Sequence, residues 1–211
     1  MVLTSVAPAR GHFVVLRFDT GAEQPIDKTV WEESAFAVGS SLTCEELTAL
    51  CALSERRRAE NKAVFLLSRR DLSRRQLEEK LCREKGRYCA ERRESAVAAA
   101  SRMCELGYVN DTAYAVRTAD CLRRVKGFPR RRVEEELHRR GLSREDVAEA
   151  MATLPTDDTE LALAFLHKKR YTVPESTAEV QRIAAAMARF GFDGSTVRRA
   201  LTLWQEEQEN G

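Results

Sequence analysis

The chain has 211 residues, 43% of them hydrophobic and 32% charged, with a net charge of only +2. That hydrophobic share supports a packed core and excludes a disordered chain, while the length admits one or two ordinary domains or a short array of smaller ones. No apolar run approaches the ~20 residues that span a bilayer and no leader-like segment opens the chain, so a soluble cytoplasmic protein without a membrane partner is expected.

In chain order, the opening segment reads as strand. "HFVVLRFD" and "QPIDKTVW" are rich in β-branched and aromatic residues and flank "TGAE", which predicts a small β-hairpin turning between Asp19 and Glu23. Helical periodicity follows. Thr43 with Glu46, Ser73 with Gln76 and Ser143 with Asp146 have the spacing of reciprocal helix caps. Gly86, Gly107, Gly141 and Gly191 stand where helices should stop, Pro129 where one should start, and Pro155 and Pro174 between periodic segments. This punctuation predicts short helices of about 10–17 residues.

The sequence also repeats itself. Arg132, Val133, Leu137, Arg139, Gly141, Val147, Ala150 and Met151 are matched at a constant offset of 50 by Arg182, Ile183, Met187, Arg189, Gly191, Val197, Ala200 and Leu201. "SRRQLEEKLCREKG" (73–86) is similar to "PRRRVEEELHRRG" (129–141), and "NDTAYAV" (110–116) to "DDTELAL" (157–163). The predicted fold is all-α: three tandem three-helix, helix-turn-helix-like repeats in an elongated array, behind the N-terminal hairpin. The boundaries are 1–55 for the hairpin and short helices, then 56–107, 108–155 and 156–211 for the repeats. Within the middle repeat, Val133 and Leu137 share one face, Val147, Met151 and Leu154 a second, and Tyr114, Leu122 and Val125 a third. Tyr108 and Trp204 are expected to pack where repeats meet.

Charge is spread unevenly over this array. Residues 1–55 carry 3 Lys/Arg against 8 Asp/Glu, residues 56–142 carry 24 against 13, and residues 143–211 carry 8 against 12. A basic middle suits an anionic partner, although solvated Arg–Glu helix faces produce the same totals.

The order "SRRQLEEKL…KG", "CELGYVND" and "KGFPRRRVEEELHRRGLS", within residues 56–207, strongly resembles the RecX family of bacterial regulators of the RecA recombinase. The resemblance implies three tandem three-helix units in a monomer that is not an enzyme. It implies binding to a RecA filament on single-stranded DNA, with non-specific DNA contact alongside, and inhibition of RecA's ATPase, strand-exchange and coprotease activities in the SOS response. The charged linker "GRYCAERRES" (86–95), a third unit without an Arg triplet, and six cysteines depart from the family's pattern.

The candidate partner- or DNA-binding residues are Arg74 and Arg75 in the first repeat, and Arg123, Arg124, Lys126, Arg130, Arg131, Arg132, Arg139 and Arg140 in the second. Lys168, Lys169 and Arg170 form the third repeat's dense basic run. Arg131–Glu135 and Glu136–Arg140 also have the spacing of ordinary ion pairs on a solvated helix. The alternative is a helix-turn-helix regulator acting on duplex DNA without RecA. Against it, the helix that should read bases opens on Arg144, Glu145 and Asp146, two of which repel phosphates. No Ser/His/Asp, Cys/His, metal-ligand or phosphate-loop constellation stands out, so neither catalysis nor a cofactor or metal is expected. Cys44, Cys51, Cys82, Cys89, Cys104 and Cys121 form no C-x-x-C pair and read as reduced thiols.

Overall fold

Alternation along "FVVLRF" puts Val14, Leu16 and Phe18 on one face of a strand, and all three are buried. This strand, β2 (Phe13–Phe18), is the centre of an antiparallel sheet with β1 (Leu3–Pro8) and β3 (Glu23–Asp27), in the order β1-β2-β3. The expected hairpin is β2–β3, turning through Gly21 at φ +82°, and the sheet has one strand more than expected. A register shift between Leu3 and Ser5 breaks the period-2 pattern of β1, which hides that strand in the sequence. Pro25 is tolerated because β3 lies at the sheet edge. The structure, a computed structural model, describes residues 1–84, 87–88, 92–172, 174 and 176–209, so the expectations placed on Gly86 and Cys89 lie outside the described residues. It is mostly helical and divides into two compact units, Met1–Val109 and Asn110–Gly211.

In the first unit the sheet leads into α1 (Lys28–Glu32), capped by Asp27, whose Oδ1 accepts from the amides of Thr29 at 3.0 Å and Val30 at 3.4 Å. The buried Asp27 amide donates to Ser54 Oγ at 2.8 Å, which ties the sheet to α2 (Cys44–Leu67). Helix α2 has 24 residues, longer than predicted, because no Gly or Pro interrupts residues 44–67. Its Leu50 packs with Leu3, Leu16, Phe18, Ile26 and Leu42. Its Ala63 joins a second cluster with Leu77 and Leu81 of α3 (Arg74–Cys82) and Ala96, Ala99, Ala100 and Met103 of α4 (Arg93–Glu105). Between α3 and α4, β4 (Arg83–Glu84) pairs with β5 (Arg87–Tyr88).

The second unit contains α5 (Asp111–Arg124), α6 (Arg130–Arg139), α7 (Arg144–Ala152), α8 (Thr159–Lys169), α9 (Thr177–Phe190) and α10 (Gly194–Glu209). Tyr114, Leu122, Val133, Leu137, Val147, Met151 and Leu154 bury one cluster among α5, α6 and α7. Ala162, Leu166, Ile183, Met187, Phe192, Val197, Leu201 and Trp204 bury another among α8, α9 and α10. Val125 departs from its expected stripe and is 76% exposed, because α5 ends at Arg124 and the chain turns through Gly127 at φ +65°. Tyr108 is 65% exposed, following the Gly107 turn at φ +75°, and Trp204 is buried inside its own three-helix cluster.

The start of α10 carries a pH-sensitive cap. Asp193 Oδ1 accepts from the amides of Ser195 and Thr196, both at 2.9 Å, and Oδ2 accepts from the Thr196 hydroxyl at 2.6 Å. The Ser195 hydroxyl, then the Thr196 hydroxyl and amide, hold the Asp193 carboxyl far below the usual carboxylate range. A carboxylate lowered by folding contributes stability above its ordinary pKa of about 3.9, and that contribution is lost as pH falls through the folded value. Asp193→Ala is therefore expected to cost about 0.5–2 kcal/mol at neutral pH, and less as the pH drops below ~4. Urea unfolding followed by circular dichroism at neutral and acid pH checks this.

Candidate functional site

The run "CLRRVKGFPRRR" cannot all face water, because it leaves the buried end of one helix and enters another. Arg123, in the last turn of α5, is only 8% exposed. Its Nη1 donates to Asp158 Oδ1 at 2.5 Å and its Nη2 to the Asp157 carbonyl at 2.9 Å. Asp158 Oδ2 accepts from the Arg130 amide at 2.9 Å, an otherwise orphan donor in the first turn of α6. Arg130 Nη1 reaches the carbonyls of Met151 at 2.8 Å and Leu154 at 2.9 Å, satisfying acceptors at the end of α7. The guanidinium groups of Arg123 and Arg130 are thus engaged inside the chain. Next to them, hydrogen bonds from the Thr159 hydroxyl and amide, with Arg199 at 3.4 Å, lower the Asp157 carboxyl below its usual range.

Arg132 is also engaged. Its guanidinium carbon lies 4.0 Å from the centre of the Phe128 ring and 4.5 Å from that of Phe190, and its Nη1 donates to the Phe190 carbonyl at 3.1 Å. The next residue, Gly191, ends α9 at φ +119°, and a Cβ there would lie 2.9 Å from Arg132 Cβ and 3.2 Å from Pro129 Cγ. Both the backbone conformation and the close approach demand glycine. Gly191→Ala is expected to destabilise the protein by at least about 1–2 kcal/mol, measured by urea unfolding, with the same change at open Gly127 as the comparison for backbone cost alone.

The remaining cations divide by location. Arg131 pairs with Glu135 at 3.2 Å, both well exposed, and Arg139 pairs with Glu136. Arg140 also meets Glu136, at 3.1 Å, and donates to the Tyr114 hydroxyl at 2.8 Å. In the first unit, Arg74 pairs with Glu78 at 3.0 Å and donates to Ser101 Oγ at 2.9 Å, while Arg75 pairs with Glu79 at 3.2 Å. The pairs exposed on both sides, Arg131–Glu135 and Arg75–Glu79, contribute at most about 1 kcal/mol, so those two arginines are held only loosely. Arg170 is exposed and closes α8 in a left-handed conformation at φ 52°.

Four cations converge on one groove. Arg124 and Lys126, from the end of α5 and the turn after it, face Lys168 and Lys169 in the last turn of α8 around a cavity of about 370 Å³. Its floor and walls are Val125, Leu161, Ala164, Phe165 and Phe190. Arg124 is 77% exposed, with Asp120 at 3.5 Å one turn back. Lysines in the final turn of α8 also complement the negative end of its dipole. The sequence singled out both basic runs, more than 40 positions apart in the chain, and the fold brings them together. It missed the apolar floor, for which the only signal is a valine set between cations just past a helix end.

A smaller basic pocket, of about 130 Å³, lies in the first unit among Arg58, Lys62, Arg83 and Arg92, with Glu55 at its edge. Lys62 Nζ donates to the Arg83 carbonyl there at 3.0 Å. Among the described residues no group of His, Cys, Asp and Glu has a metal-holding arrangement, and no helix is long and apolar enough to cross a membrane. Burial, and then the Glu55 carboxylate, push the Cys51 thiol up, away from thiolate chemistry at neutral pH.

No family model matches the chain. Regulatory protein RecX of Stenotrophomonas maltophilia (strain R551-3) is 32% identical over 140 residues, covering 66% of this chain and 82% of that protein. Regulatory protein RecX of Trichlorobacter lovleyi is 32% identical over 142 residues, covering 65% and 89%. That of Clostridioides difficile (strain 630) is 26% identical over 166 residues, covering 77% and 76%. A crystal structure of a regulatory protein RecX shares the fold with a TM-score of 0.68 at 18% identity, over 94% of this chain and 98% of the other. RecX from Lactobacillus salivarius matches with a TM-score of 0.60 at 15% identity, over 72% and 97%.

Proposed function

This chain belongs to the RecX family, and we propose that it is a non-catalytic regulator that binds a RecA filament on DNA and lowers its ATPase, strand-exchange and coprotease activities. One observation carries the siting of this activity: Arg124, Lys126, Lys168 and Lys169 gather around a single groove with an apolar floor. In this reading the three-helix segments 56–107, 108–155 and 156–211 act as successive modules along a helical partner. A ligand that bridges neighbouring subunits shifts their conformation only by its differential affinity for the two states. Bridging would therefore oppose the subunit motions that accompany ATP turnover.

The groove cations, with the solvent-facing Arg75, Arg131 and Arg139, supply the attraction. Arg123, Arg130 and Arg132 position them from inside the chain. Duplex reading is disfavoured, because Asp146 at the start of α7 is kept ionised. Partial burial opposes this, but hydrogen bonds from the Thr112 and Ser143 hydroxyls outweigh it and lower the carboxyl.

The test is ATP hydrolysis by RecA on single-stranded DNA, titrated with this protein at two salt concentrations. Inhibition at amounts well below one copy per RecA, weaker at higher salt, is the expected result. Unchanged hydrolysis with folded protein and unsaturated DNA overturns it.

A further inference from the structure

A basic rim alone suits either phosphates or carboxylates; the floor of this groove separates them. Val125 is 76% exposed, and it lines the groove with Leu161, Ala164 and Phe165 between the cations. Single-stranded nucleic acid held in a basic groove stacks its bases on open aromatic faces. The rings here already have companions. The Phe165 ring centre lies 4.8 Å from that of Phe190, with Lys169 Nζ 5.9 Å away. Phe190 stacks against Phe192 at 5.8 Å and carries the Arg132 guanidinium. Beside these half-buried rings the most exposed apolar lining of the groove is aliphatic, Val125 and Ala164, which suits an apolar side chain better than a base. The cavity, at about 370 Å³, is in the range of clefts that bury small groups, ~300–1,000 Å³.

We propose that this groove docks an acidic peptide segment of a partner protein, with one large apolar side chain on Val125, Leu161 and Ala164 and flanking carboxylates on Arg124, Lys126, Lys168 and Lys169. Charge complementarity selects the segment, and the apolar anchor sets its register. The proposal rests on the reading above that this face meets the partner, but it concerns only the groove's chemistry.

The probe is a short fluorescein-labelled peptide of Glu and Asp around one Phe and one Leu. It is compared with the same peptide carrying Ser at both apolar positions, and with a single strand of oligo-dT. The full chain is followed by methyl NMR and by fluorescence anisotropy. The Phe/Leu peptide should shift the methyl resonances of Val125, Leu161 and Ala164 and bind at least ~10-fold more tightly than the Ser peptide, as expected for an anchored apolar side chain. Lys168→Glu/Lys169→Glu should weaken it by a similar factor, and Val125→Ser should abolish the preference for Phe and Leu. Equal binding of the two peptides overturns the proposal, as does an oligo-dT strand that shifts these methyls while the peptides leave them unmoved. Binding is read without RecA, so failure of the RecA reading leaves this result unchanged. A chain that inhibits RecA yet ignores the Phe/Leu peptide overturns the groove assignment alone.

Discussion

Asp158→Ala is expected to destabilise the second unit by about 3–5 kcal/mol, the cost of removing one partner from a buried ion pair. Arg123 is 8% exposed and its Nη1 is 2.5 Å from Asp158, so its charge cannot recover solvent when the carboxylate is deleted. The same deletion removes the acceptor of the Arg130 amide at the start of α6. Asp158 thus links the end of α5, the start of α6 and the start of α8, and its loss loosens all three. Chemical denaturation by circular dichroism measures the change. Asp157→Ala is the comparison, because its carboxylate is exposed and holds no buried charge, meeting Thr159, Arg199 and the Asp158 backbone; a much smaller loss is expected there. Replacing Arg123 and Asp158 together by Leu should restore part of the stability, since no lone buried charge remains. Equal losses for Asp157→Ala and Asp158→Ala would refute the assignment of Arg123 as a buried strut.

This network marks where sequence reasoning stops. The stripes Val133–Leu137 and Val147–Met151 were legible because helix periodicity is local, and so were the caps at Thr43, Ser73 and Ser143, each a side chain meeting an amide three residues on. Arginines 123, 124, 130 and 131 look alike in a sequence. Only the partner of Arg123, 35 residues ahead, makes it structural, while Arg124 points to the groove. Charge reversal at Arg130 would consequently test folding and not binding, because its guanidinium holds the carbonyls of Met151 and Leu154. Val125 carries the same lesson with the opposite sign: it continues an apolar stripe on paper, but the turn at Gly127 sends it into solvent. The groove itself joins two distant stretches, so no local pattern could reveal it.

Arg124→Glu/Lys168→Glu/Lys169→Glu is expected to raise the concentration needed to inhibit RecA by ~10²-fold or more with the protein still folded and only a small loss of stability, about 0.3–1 kcal/mol for each lysine reversed at the end of α8. Hydrogen bonds to charged groups contribute about 1.5–3 kcal/mol each, and every 1.4 kcal/mol is about tenfold in affinity, so losing two such contacts suffices. All three side chains are exposed, and Arg124 lies 3.5 Å from the exposed Asp120 carboxylate. Reversal therefore removes little that holds the fold, and it turns attraction for carboxylates or phosphates into repulsion. Arg131→Glu is the contrasting variant: it sits on α6 outside the groove, opposite Glu135, and should shift inhibition by far less. The defect should also shrink as salt rises, because screening weakens contacts at an exposed rim in both proteins. If the triple variant inhibits RecA as well as the parent chain while remaining folded, the groove is not where RecA is met, and the solvent-facing arginines of α3 and α6 become the surfaces to reverse next.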